Sequence, residues 1–204
     1  MTGDEQCVRG ITAGVVLEDC LPLKVERLNG PPGPALLARF DRTNEETIRL
    51  LGVLEERSGE MTAEEHPDIA RLEHKIDLIL ELLVQALAAR DAAPQQLEVR
   101  LCTDAIEWRS DREWAIGDLV KLELCLQKRL PLAVILVARV KHVQREESGD
   151  AYRVHAELLP SSVPVQDLLD KYIFRFHRRA VAHRRGRPSG TGPDSGNRCE
   201  GKPC

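Results

Sequence analysis

The stretch from Asp118 to Leu126 alternates cleanly. Val120, Leu122, Leu124 and Leu126 share one face, and Lys121, Glu123 and Cys125 the other, which predicts a strand with one buried side. A second alternation runs from Ala151 to Leu159. It sets Tyr152, Val154, Ala156 and Leu158 toward a core and Arg153, His155 and Glu157 toward solvent. Between them Pro131 to Val143 reads as a long apolar strand, and "EESGD" supplies the hairpin turn. Upstream, "VRLCTDAIEW" belongs to one strand from Leu97 to Trp108, with Val99 and Leu101 alternating with Arg100. Its pattern breaks at the polar corner Cys102 to Ala105 and resumes at Ile106 and Trp108. Leu21 to Leu28 is a further short strand, ended by an Asn-Gly and proline-rich loop. Strands in succession with short turns predict an antiparallel sheet, and their single-faced patterning fits a small barrel.

Helical spacing occupies the remainder. Thr43 and Glu46 form a capping box ahead of Ile48, Leu51 and Leu54, which predicts a helix start there; Gly52 weakens it and Ser58-Gly59 ends or bends it. Thr62 with Glu65, or Pro67, offers a restart. From there Ile69, Leu72, Ile76, Ile79, Leu83 and Ala86 fall on alternating a and d positions of a heptad. Isoleucine at both a and d disfavours a two-stranded coil, and Leu80, Leu82 and Leu87 widen the apolar stripe. The competing reading is an ordinary core helix; the wide stripe favours a four-chain bundle, with Ile69, Leu72, Ile76, Ile79, Leu80, Leu83 and Leu87 as its interface. A last helix from Pro164 carries Val165, Leu168, Leu169, Tyr172, Ile173, Phe176 and Ala180 on one stripe, with Arg175, Arg178 and Arg179 off it.

Composition narrows the function classes. The 204 residues are 42% hydrophobic and 30% charged, an ordinary balance that can bury a core, but only 3% aromatic, which leaves core filling to Leu and Val. The net charge of −4 argues against general nucleic-acid binding. Residues 171–187 hold seven Lys or Arg and no acid, yet their aromatics Tyr172 and Phe176 lie on the stripe expected to be buried, leaving no stacking platform. No apolar run reaches the roughly 20 residues of a membrane span, and the acidic N-terminus does not resemble a signal peptide, so a cytoplasmic location is expected. The six cysteines form no CxxC pair and are expected to be reduced and structural. His142, His155, His177 and His183 show no metal-ligand spacing, and no phosphate loop or nucleophile turn is present. Neither a metal nor catalysis is expected.

"WAIGDLVKLELCL", "LPLAVILVARVKHV", "YRVHAELL" and "KYIFRFHRRAVAHRR", in this order and with helices inserted after the first strand, resemble the atypical, tetramer-forming PilZ domain of bacterial cyclic di-GMP signalling. The resemblance spans Cys20 to Arg185. It implies an α+β fold: a small antiparallel barrel, a helical coiled-coil insertion over residues 43–91, and a C-terminal helix. Residues 1–19 and 186–204 would then be tails, the latter disordered. In ligand-binding members the corner strand carries (Asp/Asn)-x-Ser-x-x-Gly. Here that pattern falls on Arg100, Cys102 and Ala105, so a cation replaces the acceptor, a thiol the hydroxyl, and a methyl crowds the backbone. The family's Arg-x-x-x-Arg ahead of the barrel is missing, since Arg9 stands alone there; Arg175 and Arg179 have the spacing but lie at the other end of the chain.

The resemblance therefore implies a noncatalytic adaptor that assembles as a homotetramer, binds other signalling or pilus and motility proteins, and needs no cofactor. The alternative is a cyclic di-GMP receptor with a non-standard site built from Arg100, Arg109, Arg112, Arg175 or Arg179. In that reading "EWRSDREW" brings Arg109 and Arg112 close to the corner; otherwise they pair with Glu107, Asp111 or Glu113.

Overall fold

The computed structural model describes residues 15–57, 71–72, 75–76, 78–79, 94–127, 132–146 and 151–186. Six strands, β1 (Leu17–Leu28), β2 (Gln95–Leu101), β3 (Ala105–Ser110), β4 (Leu119–Cys125), β5 (Ala133–Arg145) and β6 (Tyr152–Leu158), close into an antiparallel barrel in the order β1-β2-β3-β6-β5-β4. Two long helices accompany it, α1 (Pro34–Arg57) after the first strand and α2 (Val163–Gly186) after the last. Residues 71–72, 75–76 and 78–79 are also helical.

β1 is long because it serves two partners. Leu17–Leu23 pairs with β2, and Leu23–Leu28 pairs with β4. It begins inside the segment expected to be an N-terminal tail. The alternations hold: Val120, Leu122, Leu124, Val154 and Ala156 are all fully buried, with Trp108 beside them at 1% exposure. Burying each large apolar side chain contributes roughly 1.5–3 kcal/mol relative to leaving it exposed.

The single strand expected over Leu97 to Trp108 is instead a hairpin. Val99 faces Trp108 and Leu101 faces Ile106, and the Cys102 amide donates to the Ala105 carbonyl at 2.9 Å. The inward positions slip by one residue across the turn, from Val99 and Leu101 to Ile106 and Trp108, as two strands rather than one require. The turn needs no left-handed residue: among the described residues only Gly117, at φ 94°, has a positive φ. Two-residue hairpin loops usually do require one. Here the Leu158 amide anchors the turn by donating to the Asp104 carbonyl at 2.8 Å.

α1 starts well before the expected capping box. Pro34 occupies the first helical position, where its missing N–H costs nothing, and the Gly33 carbonyl accepts from the amides of Leu36 and Leu37. Thr43 and Glu46 are interior. Their neighbour Asn44 is fully buried and does different work. β5 runs beyond the end of β6, whose pairing begins at Ala138, and this leaves the Ile135 peptide open on that side. The Asn44 amide donates to the Ile135 carbonyl at 2.8 Å and accepts from the Ile135 amide at 2.7 Å, so α1 satisfies the sheet. Asp41 of α1 also accepts from the Ser162 amide at the start of α2. α2 buries its anticipated stripe, with Val165, Leu169, Tyr172 and Ile173 each at most 4% exposed, and the Tyr172 hydroxyl donates to the Leu126 carbonyl. Gly52 lies where α1 meets α2, against Arg175.

Candidate functional site

Outward positions of β2, β3, β6 and β5 form a charged face. Arg100 of β2 faces Glu107 of β3, and Glu107 faces His155 of β6, which in turn faces His142 of β5. A bulge between Val140 and His142 brings His142 into that row. Glu107 is only 3% exposed. Its Oε1 pairs with Arg153 at 3.1 Å and with Arg100 at 3.6 Å. Arg153 reaches Glu146 as well, at 3.3 Å, and Arg109 binds Glu146 at 3.0 Å. Burial works against the charge on Arg153, but the Glu107 and Glu146 carboxylates outweigh it and raise its pKa. Three cations on this face are thus held by two carboxylates of the same chain.

His155 was expected in solvent between Arg153 and Glu157. It is only 8% exposed, and its Nδ1 has no hydrogen-bond partner. Alternation places it on the outer face, as anticipated, but Glu107 and His142 flank it on the adjoining strands. Burial lowers its pKa, the Glu107 carboxylate opposes that, and His142 adds to it.

At the hairpin corner the Cys102 thiol lies 3.1 Å from Asp104 Oδ1 and 3.4 Å from the Ala105 carbonyl. Burial, reinforced by the Asp104 carboxylate, raises its pKa to about 11, so it stays a thiol. Cys20, by contrast, is disulfide-bonded, which departs from the expectation of reduced thiols.

A second cluster lies at the far end of β3. Trp114 donates from Nε1 to Ser110 Oγ at 3.0 Å and meets Trp108 edge-on, with ring centroids 6.1 Å apart. The guanidinium carbons of Arg112 and Arg27 lie 4.2 and 5.3 Å from its ring centroid. A cavity of about 320 Å³ opens beside them, lined in part by Leu97, Trp108, Ser110 and Asp111.

Comparison with known proteins places these features. The family model described as "Atypical PilZ domain, cyclic di-GMP receptor" matches residues 49–186. The chain belongs to the atypical PilZ domain family. A tetrameric PilZ domain from Xanthomonas campestris, described as self-assembled via an unusual helical bundle, shares the fold at TM-score 0.65 and 23% identity, covering 87% of this chain and 96% of that one. The Bacillus subtilis inhibitor of motility overlaps 42% of each chain at 14% identity and TM-score 0.35. Among curated proteins nothing matches.

The anticipated arginines do not converge on the PilZ corner. Arg100 is beside it, on β2. Arg109 lies four residues along β3 from Ala105, on the order of 13 Å at strand rise, and Arg112 lies beyond the end of β3. "EWRSDREW" therefore leads away from the corner, because an extended strand separates its arginines from the turn. Nor do they pair locally: Arg109 takes Glu146, and Arg112 stacks on Trp114 and donates to the Val25 carbonyl at 3.0 Å. α2 does reach the corner, but through Asp170, which accepts from Thr103 Oγ at 2.6 Å. Arg175 lies against Gly52 of α1, and Arg179 is exposed.

Of the expected bundle residues, Leu72, Ile76 and Ile79 are helical and 58%, 48% and 63% exposed. Leu78 joins them at 46%. Ile69, Leu80, Leu83 and Leu87 lie outside the described residues. Sequence reasoning named Glu107 only as a local partner for Arg109 or Arg112, not for Arg100 and Arg153, and it missed Asn44. Glu107 could have been found as the one acid alternating with buried residues beside Arg100; nothing in sequence distinguishes Asn44.

Proposed function

We propose that this PilZ chain is a noncatalytic signalling adaptor that works by assembling copies of itself, its cyclic di-GMP corner having been taken over by internal ion pairs. The observation that carries the reading is Glu107. It is nearly fully buried and shared by Arg100 and Arg153, at the strand position facing the corner. A carboxylate there already occupies the cations that a phosphate would need, and adds a negative charge a phosphodiester would have to meet. The Cys102 thiol and Ala105 methyl, in place of hydroxyl and glycine, point the same way.

Self-assembly is supported by the exposed apolar residues Leu72, Ile76, Leu78 and Ile79, all of them helical. It is supported also by the helical-bundle tetramer of the Xanthomonas relative. Four copies would present four barrels to a signalling or motility partner, raising affinity through avidity. Light scattering on the purified protein tests this: a particle of four chain masses is expected, and a monomer at micromolar concentration overturns it. Replacing Ile76 and Ile79 by Asp is expected to dissociate the particle while the barrel stays folded.

The competing reading, a receptor with a non-standard arginine site, draws on the cavity beside Arg112 and Trp114. Calorimetric heat with cyclic di-GMP that disappears in Arg112→Ala would establish it.

A further inference from the structure

Three strands come apart at the end of the barrel away from the Cys102–Ala105 corner. β1 leaves β2 at Leu23 to pair with β4, and the β2–β3 ladder stops at Val99 and Trp108, short of Gln95 and Ser110. The cavity of about 320 Å³ beside Trp114 opens in this gap. That volume is at the low end of small-molecule sites, roughly 300–1,000 Å³, and barrel mouths are among their preferred places. Its floor is apolar: Leu23 and Trp108 are buried, and Leu97 packs against the same core. Trp114 walls it, and its indole N–H and the Ser110 hydroxyl already satisfy each other.

The rim carries the charge. Arg27 and Arg112 both lie over the Trp114 ring, but Arg27 is paired with Asp118 at 2.7 Å, whereas Arg112 forms no ion pair among the described residues. Arg112 is held all the same, by the ring and by the Val25 carbonyl. Lys24, also lining the cavity, makes no ion pair among the described residues either. Glu123, which faces it across the β1–β4 ladder, binds Lys121 at 2.6 Å instead. Among the described lining residues Asp111 is the only acid; it is exposed and pairs with neither cation. Two cations without a carboxylate, set above an apolar floor, match an anion with an apolar body.

We propose that this barrel mouth binds a small carboxylate with an apolar body, the carboxylate on Arg112 and Lys24 and the body against Leu97 and Trp108. The site gives the adaptor a small-molecule input at the end of the barrel away from its degenerate corner. It is independent of self-assembly, so its failure leaves the adaptor reading standing.

The chain's two tryptophans both line the cavity, so their fluorescence reports its occupancy. Octanoate titrated into the full-length protein is expected to change that fluorescence saturably, with half-saturation below about 1 mM. Octanol, which keeps the chain and loses the charge, is expected to bind about tenfold or more weakly, as is octanoate to Arg112→Ala. Arg112 is exposed, so the variant keeps its fold, and calorimetry gives the same comparison without relying on the ring that Arg112 covers. Leu97→Phe fills the floor and is expected to weaken octanoate by a similar factor with no change of charge. No saturable response to octanoate in the wild type overturns the site. Octanol binding as tightly as octanoate overturns the role of the carboxylate, and inorganic phosphate producing the same change overturns that of the apolar body. Saturation by cyclic di-GMP at lower concentration than octanoate, lost in Arg112→Ala, assigns the cavity to the nucleotide and overturns the proposal.

Discussion

Two surfaces of this molecule concentrate cations, and they differ in how deeply the counter-charge is buried. On the outer barrel face Arg100, Arg109 and Arg153 are each held by Glu107 or Glu146, with the central carboxylate almost sealed from water. In a groove between α1 and α2, Arg49, Lys171 and Arg175 surround exposed apolar side chains, and none of the described lining residues is an acid. Number of cations therefore says little about where an anion binds. What matters is where the fold supplies the counter-charge: Glu107 does so almost out of water, whereas Arg49 of the groove pairs with Glu45 at the surface, at 2.6 Å.

The largest effect that would break this contrast is loss of Glu107. Glu107→Ala leaves Arg100 and Arg153 without their shared carboxylate and is expected to cost about 3 kcal/mol, the low end for breaking a buried pair because Arg153 is half exposed; urea denaturation measures it. The same variant sharpens the contrast if its freed arginines begin to bind phosphate-containing ligands. Asn44→Leu separates α1's barrel side from its groove side. Two partly buried backbone groups of Ile135 lose their partners, an expected cost of about 1–3 kcal/mol, while self-assembly persists in light scattering.

A smaller effect comes from His155. Its folded pKa is depressed below the ordinary 6.5, so the native state binds fewer protons than the unfolded chain. Its stability contribution is complete above 6.5 and is lost as pH falls below that value toward the folded pKa. Between pH 6.5 and 5 the wild type is expected to lose more stability than His155→Gln, and parallel curves would remove the role assigned to burial. Smallest is Arg109→Ala, which severs a half-exposed pair with Glu146 and is expected to change stability by about 1 kcal/mol or less.

Period-2 alternation exposed most of the barrel, since a strand with one wet face writes its burial directly into the sequence. The β2–β3 hairpin escaped it because Cys102 to Ala105 offers only Asp104 as a turn residue, and its other mark is a one-residue slip of the alternation, from Val99 and Leu101 to Ile106 and Trp108. The start of α1 was misplaced by a real capping-box pattern, Thr43 with Glu46, that lies inside the helix; Pro34 was the true signal. At the site, Arg100, Cys102 and Ala105 were legible as departures from the PilZ motif. The ion pairs that hold Arg100 and Arg153 were not, because Glu107 and Arg153 meet only through the β3–β6 pairing. Alternation likewise gave His155 its face but not its burial, which two neighbouring strands impose, and the Cys20 disulfide depends on a spatial encounter that spacing does not encode.

The central claim is that internal carboxylates fill the place a cyclic dinucleotide would take. Titrating cyclic di-GMP into the full-length protein by calorimetry tests it most directly. No saturable heat is predicted for the wild type through the micromolar range. A stoichiometric, saturable heat at low micromolar ligand, abolished by Arg100→Ala, would contradict it.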